Sequence, residues 1–183
     1  IDESISFNAN KSIDSDGDIV SYEWDFGDGN LGSGVSVKHV YAKSGLYTIN
    51  LKVSDNAYVS NSSHSVSWKV FINESPKPLF VLPKVVAVGD VVKLNASNST
   101  DIDGDISAYV WNVKGEEKSG VNNFHVFKAP GNFPIKLTTT DNSGTNNAAT
   151  SITNYIRVNA PPVPNAGEDR VTNHSVVVFD ASG

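Results

Sequence analysis

The chain repeats itself, and that repetition limits its fold more than any other feature. The run FNANKSIDSDGDIVSYEWDF from Phe7 aligns without a gap to LNASNSTDIDGDISAYVWNV from Leu94, at an offset of 87. Further on, HVYAKSGLYTINLKVSDN from His39 aligns to HVFKAPGNFPIKLTTTDN from His125 at an offset of 86, so one residue has been lost between the two blocks. A period of this length means that one structural unit has been copied, each copy with its own core. Near the end VVVFDASG restates VVKLNAS, which opens a third copy. The expected organisation is therefore a repeat lacking its first strand (1–75), a complete repeat (76–160) and the opening strands of another (161–183). The boundaries fall at SPKP and APPVP, where prolines stiffen short linkers.

Within each copy the hydrophobic period is two. Tyr22, Trp24 and Phe26 share one face of a strand, as do Tyr47, Ile49, Leu51 and Val53, and again Val66, Trp68, Val70 and Ile72. Alternation rich in β-branched and aromatic residues, bounded by Gly, Asn, Asp and Ser, signals half-buried antiparallel strands. No segment has helical spacing. Several short strands per copy with a turn signal every 8 to 12 residues, roughly, predict an all-β chain of tandem immunoglobulin-like β-sandwiches.

Composition excludes several partners. The formal net charge is −6 and no Lys/Arg cluster occurs, which argues against a nucleic-acid backbone as ligand. The longest apolar run, LFVLPKVVAVG, is broken by Pro83 and Lys84 and falls short of the roughly 20 residues of a membrane span. Cysteine is absent, so disulfides, thiolate nucleophiles and cysteine-bound metals are excluded together. The chain opens inside a strand pattern, and its natural N-terminus is expected to lie upstream.

The run D-x-D-G-D-I-V-S-Y-E-W-D-F-G-D-G, followed by H-V-Y-A-K-S-G-L-Y-T-I-N-L-K-V-S-D-N, resembles the polycystic-kidney-disease (PKD) repeat. The tryptophan, the DG turn, the H-x-Y and G-x-Y block and the closing Asp-Asn occur in order, and the likeness covers nearly the whole chain. It implies an extracellular, seven-stranded sandwich used in tandem as a spacer or adhesion module of cell-surface and secreted proteins. The second copy departs from the pattern where WDFGDGNLGSG becomes WNVKGEEKSG.

Catalytic chemistry finds little foothold. SYEWDFGDG carries Glu23, Asp25 and Asp28, but strand parity turns Trp24 and Phe26 inward and Asp25 outward. Asp28-Gly29 reads as a hairpin turn, since both residues tolerate positive φ. His39 and His125 occupy equivalent strand starts, which suits a hydrogen-bonded structural residue, while His64 and His174 stand isolated. Neither G-x-S-x-G nor H-E-x-x-H occurs, so the segment is expected to be non-catalytic.

The acidic loops are the candidate site. Asp14, Asp16 and Asp18 flank Gly17, and Asp101, Asp103 and Asp105 flank Gly104. Carboxylates at alternate positions repel one another unless a hard cation lies between them, and oxygen ligands select Ca²⁺. An EF-hand is excluded, because its Gly and Glu positions hold Ile19 and Asp25 here, and Ile106 and Asn112 in the other copy. Asp55 and Asp141, from the strand-end Asp-Asn, would complete the two sites, as the family resemblance also implies. The sequence thus predicts one Ca²⁺ per repeat on Asp14, Asp16 and Asp55 and on Asp101, Asp103 and Asp141, with Asp18 and Asp105 as further candidate ligands beyond Gly17 and Gly104, where the loop must turn sharply. The competing expectation is a solvated turn in which the acids cap backbone amides.

Six N-x-S/T triplets, at Asn10, Asn61, Asn73, Asn95, Asn98 and Asn173, are candidate glycosylation acceptors. Chance would supply about 3.5 in a chain of this Asn, Ser and Thr content, so the excess leans toward a glycosylated surface protein. Two functions are compatible with this inventory. The first is a stalk or lattice element of a surface-layer, filament or adhesin protein, its partners being other domains or copies of that protein. The alternative is an accessory region of a secreted protease, collagenase or chitinase, contacting polysaccharide or protein through exposed aromatics such as Tyr58 and Tyr155.

Overall fold

The computed structural model describes residues 1–57, 59–60 and 62–164. Tyr58, Asn61, Asn173 and residues 165–183 of the segment expected to open a third repeat (161–183) lie outside the described residues. All regular structure among the described residues is β-strand, and the fold is a tandem of immunoglobulin-like β-sandwiches. No helix in them is long and apolar enough to cross a membrane.

The first repeat contains β1 (Ser4–Asn8), β2 (Ile19–Asp25), β3 (Leu31–Ser33), β4 (Ser36–Val40), β5 (Gly45–Asp55) and β6 (Ser63–Ile72). They form a four-stranded sheet in the order β3-β2-β5-β6 and a two-stranded sheet β1-β4. The second repeat contains β7 (Val85–Ala87), β8 (Val91–Asn95), β9 (Ile106–Val113), β10 (Glu116–Ser119), β11 (Asn122–Val126), β12 (Gly131–Asp141) and β13 (Ala149–Asn159). Its sheets run β10-β9-β12-β13-β7 and β11-β8. Strand for strand, β8 to β13 restate β1 to β6, and only β7, paired parallel to the end of β13, has no counterpart in the first repeat.

Period-two alternation buries one side of each strand between the sheets. One core gathers Phe7, Trp24, Phe26, Tyr41, Ile49 and Leu51; the other gathers Phe80, Leu94, Trp111, Phe127, Ile135 and Ile156. Each central tryptophan keeps its indole N–H satisfied, Trp24 donating to the Gly34 carbonyl and Trp111 to that of Gly120, both at 2.9 Å. This is the condition for burying an indole without leaving a donor unpaired.

The two cores fill one equivalent space differently. In the second repeat the Phe80 ring meets Trp111 edge-on at 5.0 Å, and Asn154 donates to the Phe80 carbonyl at 3.0 Å. Trp68 stands at the position equivalent to Asn154, each facing the matching isoleucine, Ile49 or Ile135, on the neighbouring strand. In the first repeat its own ring meets Trp24 edge-on at 5.8 Å. Thus a residue of β6 supplies the aromatic contact that the segment before β7 supplies in the second repeat.

Gly27 ends the SYEWDFGDG strand at φ 78°, and a Cβ there would run into the Thr48 carbonyl. Both the left-handed conformation and the close approach of β5 require glycine.

Candidate functional site: two acidic loops and a repeat junction

The stretch SYEWDFGDG is architectural. Trp24 and Phe26 are buried, and Asp25 accepts the Gly27 amide at 2.9 Å within the turn. Asp28 reaches His39, whose Nε2 lies 2.7 Å from Asp28 Oδ2, and the imidazole stacks on Phe26 with centroids 4.1 Å apart. Burial pushes the Asp28 carboxyl up, but hydrogen bonds from His39 and from the amide and side chain of Asn30 outweigh it and hold the group below its ordinary 3.8. A carboxyl depressed on folding adds stability above its unfolded value, and that stability is lost as pH falls through the folded value. Asp28→Asn is therefore expected to lower the melting temperature of the first repeat at pH 7 and to flatten its decline below about pH 4. Parallel acid melts of variant and wild type would refute the pairing.

In the acidic loop of the second repeat Asp101 and Asp103 are partly buried, while Ile102, Gly104 and Asp105 are exposed. Both carboxylate oxygens of Asp101 and Oδ1 of Asp103 are buried and accept no hydrogen bond. Asp103 Oδ2 accepts the Glu74 amide at 3.0 Å. Asp141 is itself buried: Oδ1 accepts the Ser143 amide at 2.8 Å and Oδ2 accepts Asn73 Nδ2 at 3.0 Å. Burial, reinforced by the Asp103 and Asp141 charges, pushes the Asp101 carboxyl above its ordinary range. The Asp103 amide opposes this shift, though its geometry falls short of a hydrogen bond. Burial also pushes Asp141 up, but the hydrogen bonds from Ser143 and Asn73 leave it lowered on balance. Three carboxylates with orphaned oxygens between them form a site of high negative potential.

The first loop is open. Asp16 and Asp18 are exposed, and Asp14 Oδ1 accepts the Asp16 amide at a long 3.4 Å. Asp55 Oδ1 accepts the Ala57 amide at 2.6 Å, and Asp14 and Asp55 line one shallow cleft with Ser62 and His64. Asp105, like Asp18, is exposed. Among the described residues no three acidic or imidazole groups stand ready at metal-ligand spacing. In the second loop, hydrogen bonds to Ser143 and Asn73 already engage both Asp141 oxygens, so Asp101 and Asp103 offer the free oxygens.

The loop glycines are needed for room. Gly17 and Gly104 do not have positive φ, yet a Cβ on them would stand 2.9 Å from Asn56 Oδ1 and 2.7 Å from Asn142 Oδ1 respectively. The Asn of each strand-end Asp-Asn packs against its loop at this point, and Asn142 Oδ1 also accepts the Asp105 amide at 3.3 Å.

Asn73 corrects one expectation. Read as a glycosylation acceptor, it is only 6% exposed, and its carboxamide donates to Asp141, so a glycan has neither room nor a free nitrogen. Its carbonyl accepts Asn147 Nδ2 at 3.0 Å. The sequence held a signal for this role: Asn159 stands at the equivalent strand end, in VNAPP against INESP. Asn10, Asn95 and Asn98 are exposed. Tyr155 is 63% exposed on the outer face of β13.

Two tandem β-sandwiches, each with its own core, define a modular all-β protein. Residues 1–70 and 73–158 match the family model of the PKD domain, and the chain belongs to that family. It is 34% identical over 154 residues to the pre-pro-metalloprotease PrtV of Vibrio cholerae, covering 81% of this chain and 16% of that protein. It is 33% identical over 135 residues to the collagenase ColA of Clostridium perfringens, covering 68% of this chain and 12% of that one. The chain thus spans only a small part of these relatives. Among solved structures, three N-terminal domains of the bacteriophage RB49 outer capsid protein Hoc superpose with a TM-score of 0.50 at 12% identity. That match covers 88% of this chain and 65% of the Hoc chain, and it shows the fold alone.

Proposed function

We propose that this chain is an accessory, non-catalytic region of a secreted hydrolase, acting outside the cell to hold the enzyme's other domains against an insoluble polysaccharide or protein. The observation that carries this reading is the match of both repeats to segments of a collagenase and a metalloprotease, each far longer than the chain. It favours the accessory role over a surface lattice, the other reading the sequence allowed. The contact face is the outer side of β13, where Tyr155 stands exposed two residues from Arg157. An aromatic beside a cation offers stacking and a charged hydrogen-bond donor. Co-sedimentation with insoluble collagen and with chitin tests it: a retained fraction on one of them, reduced several-fold by Tyr155→Ala, is expected. No retention on either would return the chain to a spacer role.

Calcium belongs to the same proposal. Asp101 and Asp103, with Asp141 beside them, would hold one Ca²⁺ in the second repeat, and Asp14, Asp16 and Asp55 another in the first. The orphaned oxygens of Asp101 and Asp103 support the assignment, because buried carboxylates without donors are costly unless a cation takes them up. Glycans, where the host adds them, would sit on the exposed Asn10, Asn95 and Asn98.

A further inference from the structure

We infer that the outer face of β12 and β13 binds an anionic polysaccharide, with Tyr155 as the stacking platform and Lys136 and Arg157 as contacts for its carboxylates or sulfates. The inference rests on the accessory reading above and adds the class of polymer.

The second repeat has cleared this face of acid. Lys136 of β12 lies between Asn112 of β9 and Thr153 of β13, and Pro134 stands opposite Tyr155. Where the first repeat carries Glu23, Asp25 and Asn50, the second carries Val110, Asn112 and Lys136. The carboxylate of Glu117 belongs to the same face but lies on β10 beyond Asn112, two strands from Lys136. Lys136 and Arg157 are exposed, and neither is in an ion pair among the described residues. The Arg157 amide donates to the Lys84 carbonyl at 3.2 Å, which puts a further exposed cation at this sheet edge. In a chain of net charge −6, a cationic patch is a local feature and selects its partner by charge.

The spacing fits a chain better than a small anion. Lys136 is level with Thr153, two residues before Tyr155, and Arg157 follows two residues after it. At the strand rise of roughly 3.3 Å per residue, the two cations stand about 13 Å apart along β13 with the aromatic ring midway. A single phosphate or sugar carboxylate cannot reach both. A polymer with anions at intervals can, with the sugar between them lying on the tyrosine. Arg157 presents a planar fork to an anion, and with Asn132 and Asn159 it lines a shallow cleft at the strand ends. In the other direction the exposed hydroxyls of Thr153 and Ser151 continue the face as partners for sugar hydroxyls. An acidic peptide would satisfy the cations and leave that hydroxyl row without a use.

The test measures binding of the whole chain to immobilised polymers by biolayer interferometry, in chelator so that calcium cannot bridge protein and polymer. Polygalacturonate should bind several-fold tighter than the same polymer with its carboxyls methyl-esterified. Dextran sulfate, run in parallel, names the anion: binding to either polyanion supports the inference. Lys136→Gln with Arg157→Gln should abolish binding, and Tyr155→Ala should weaken it several-fold while Tyr155→Phe retains it. Asn112→Asp, which restores beside Lys136 the acid of the first repeat, should weaken it as well. Melting temperatures should not move with the substitutions at the exposed Lys136, Tyr155 and Arg157. Equal binding to the esterified polymer or to polyglutamate overturns the assignment. If collagen or chitin retains the chain while neither polyanion binds it, the polymer class is refuted and the accessory reading survives. If none of them binds, both fall together.

Discussion

Trp111→Ala is expected to destabilise the second repeat by about 3 to 5 kcal/mol, the range for truncating a large buried aromatic. The indole is fully enclosed, meets Phe80 edge-on, and ties β9 to Gly120 through its N–H. Alanine would leave a cavity and remove the indole donor to the Gly120 carbonyl. Calorimetry should show the transition of the second repeat moving down or vanishing, while the core around Trp24 melts near its original temperature. Trp24→Ala should do the converse. An unmoved transition in either variant would overturn the packing of that repeat.

Calcium is expected to raise the melting temperature of the wild-type chain. Binding restricted to the folded state adds RT ln(1 + [Ca²⁺]/Kd), about 2.7 kcal/mol at a hundredfold excess over Kd. For a domain of under about 100 residues that corresponds to roughly 10 °C or more. Extracellular modules bind calcium at about 0.1 to 1 mM, so melts in about 5 to 10 mM Ca²⁺ against excess chelator should separate clearly. Asp103→Ala should abolish the shift of the second repeat, because it removes a free oxygen and the acceptor of the Glu74 amide together. Coincident wild-type curves in the two buffers would reduce both loops to solvated turns.

Much of the fold could be read in the sequence because repetition doubles every signal. The inward parity of Trp24 and Trp111 and most of the family pattern were visible twice, and the turn at Asp28-Gly29 once, in the first copy. His39 is the hydrogen-bonded structural residue the sequence suggested, bonded to Asp28 and stacked on Phe26, but it stands near the end of β4 and not at a strand start. The junction was not visible. Asn73 looks like a sequon because the triplet is defined by three residues, whereas its burial depends on a loop 68 positions away in the chain. The second demand on Gly17 and Gly104 was hidden for a similar reason. A sharp turn is a local property, but the crowding by Asn56 and Asn142 is tertiary. The choice between stalk and hydrolase accessory was beyond the chain's own residues, since it depends on what else the polypeptide carries.

The parallel pairing of β7 with β13 sets how the second repeat meets a pull. Phe80 lies beside Asn154 and Val86 beside Val158, so the first and last strands advance in the same direction. The polypeptide enters that repeat near the acidic loop and leaves at the opposite pole. Tension between the two ends slides one strand along the other and strains the pairs from Val85–Arg157 to Ala87–Asn159 together, instead of peeling them apart singly. Rupture under force is governed by the unfolding rate, and a barrier that needs several hydrogen bonds to fail at once is high. A module built this way resists being unravelled from its two ends.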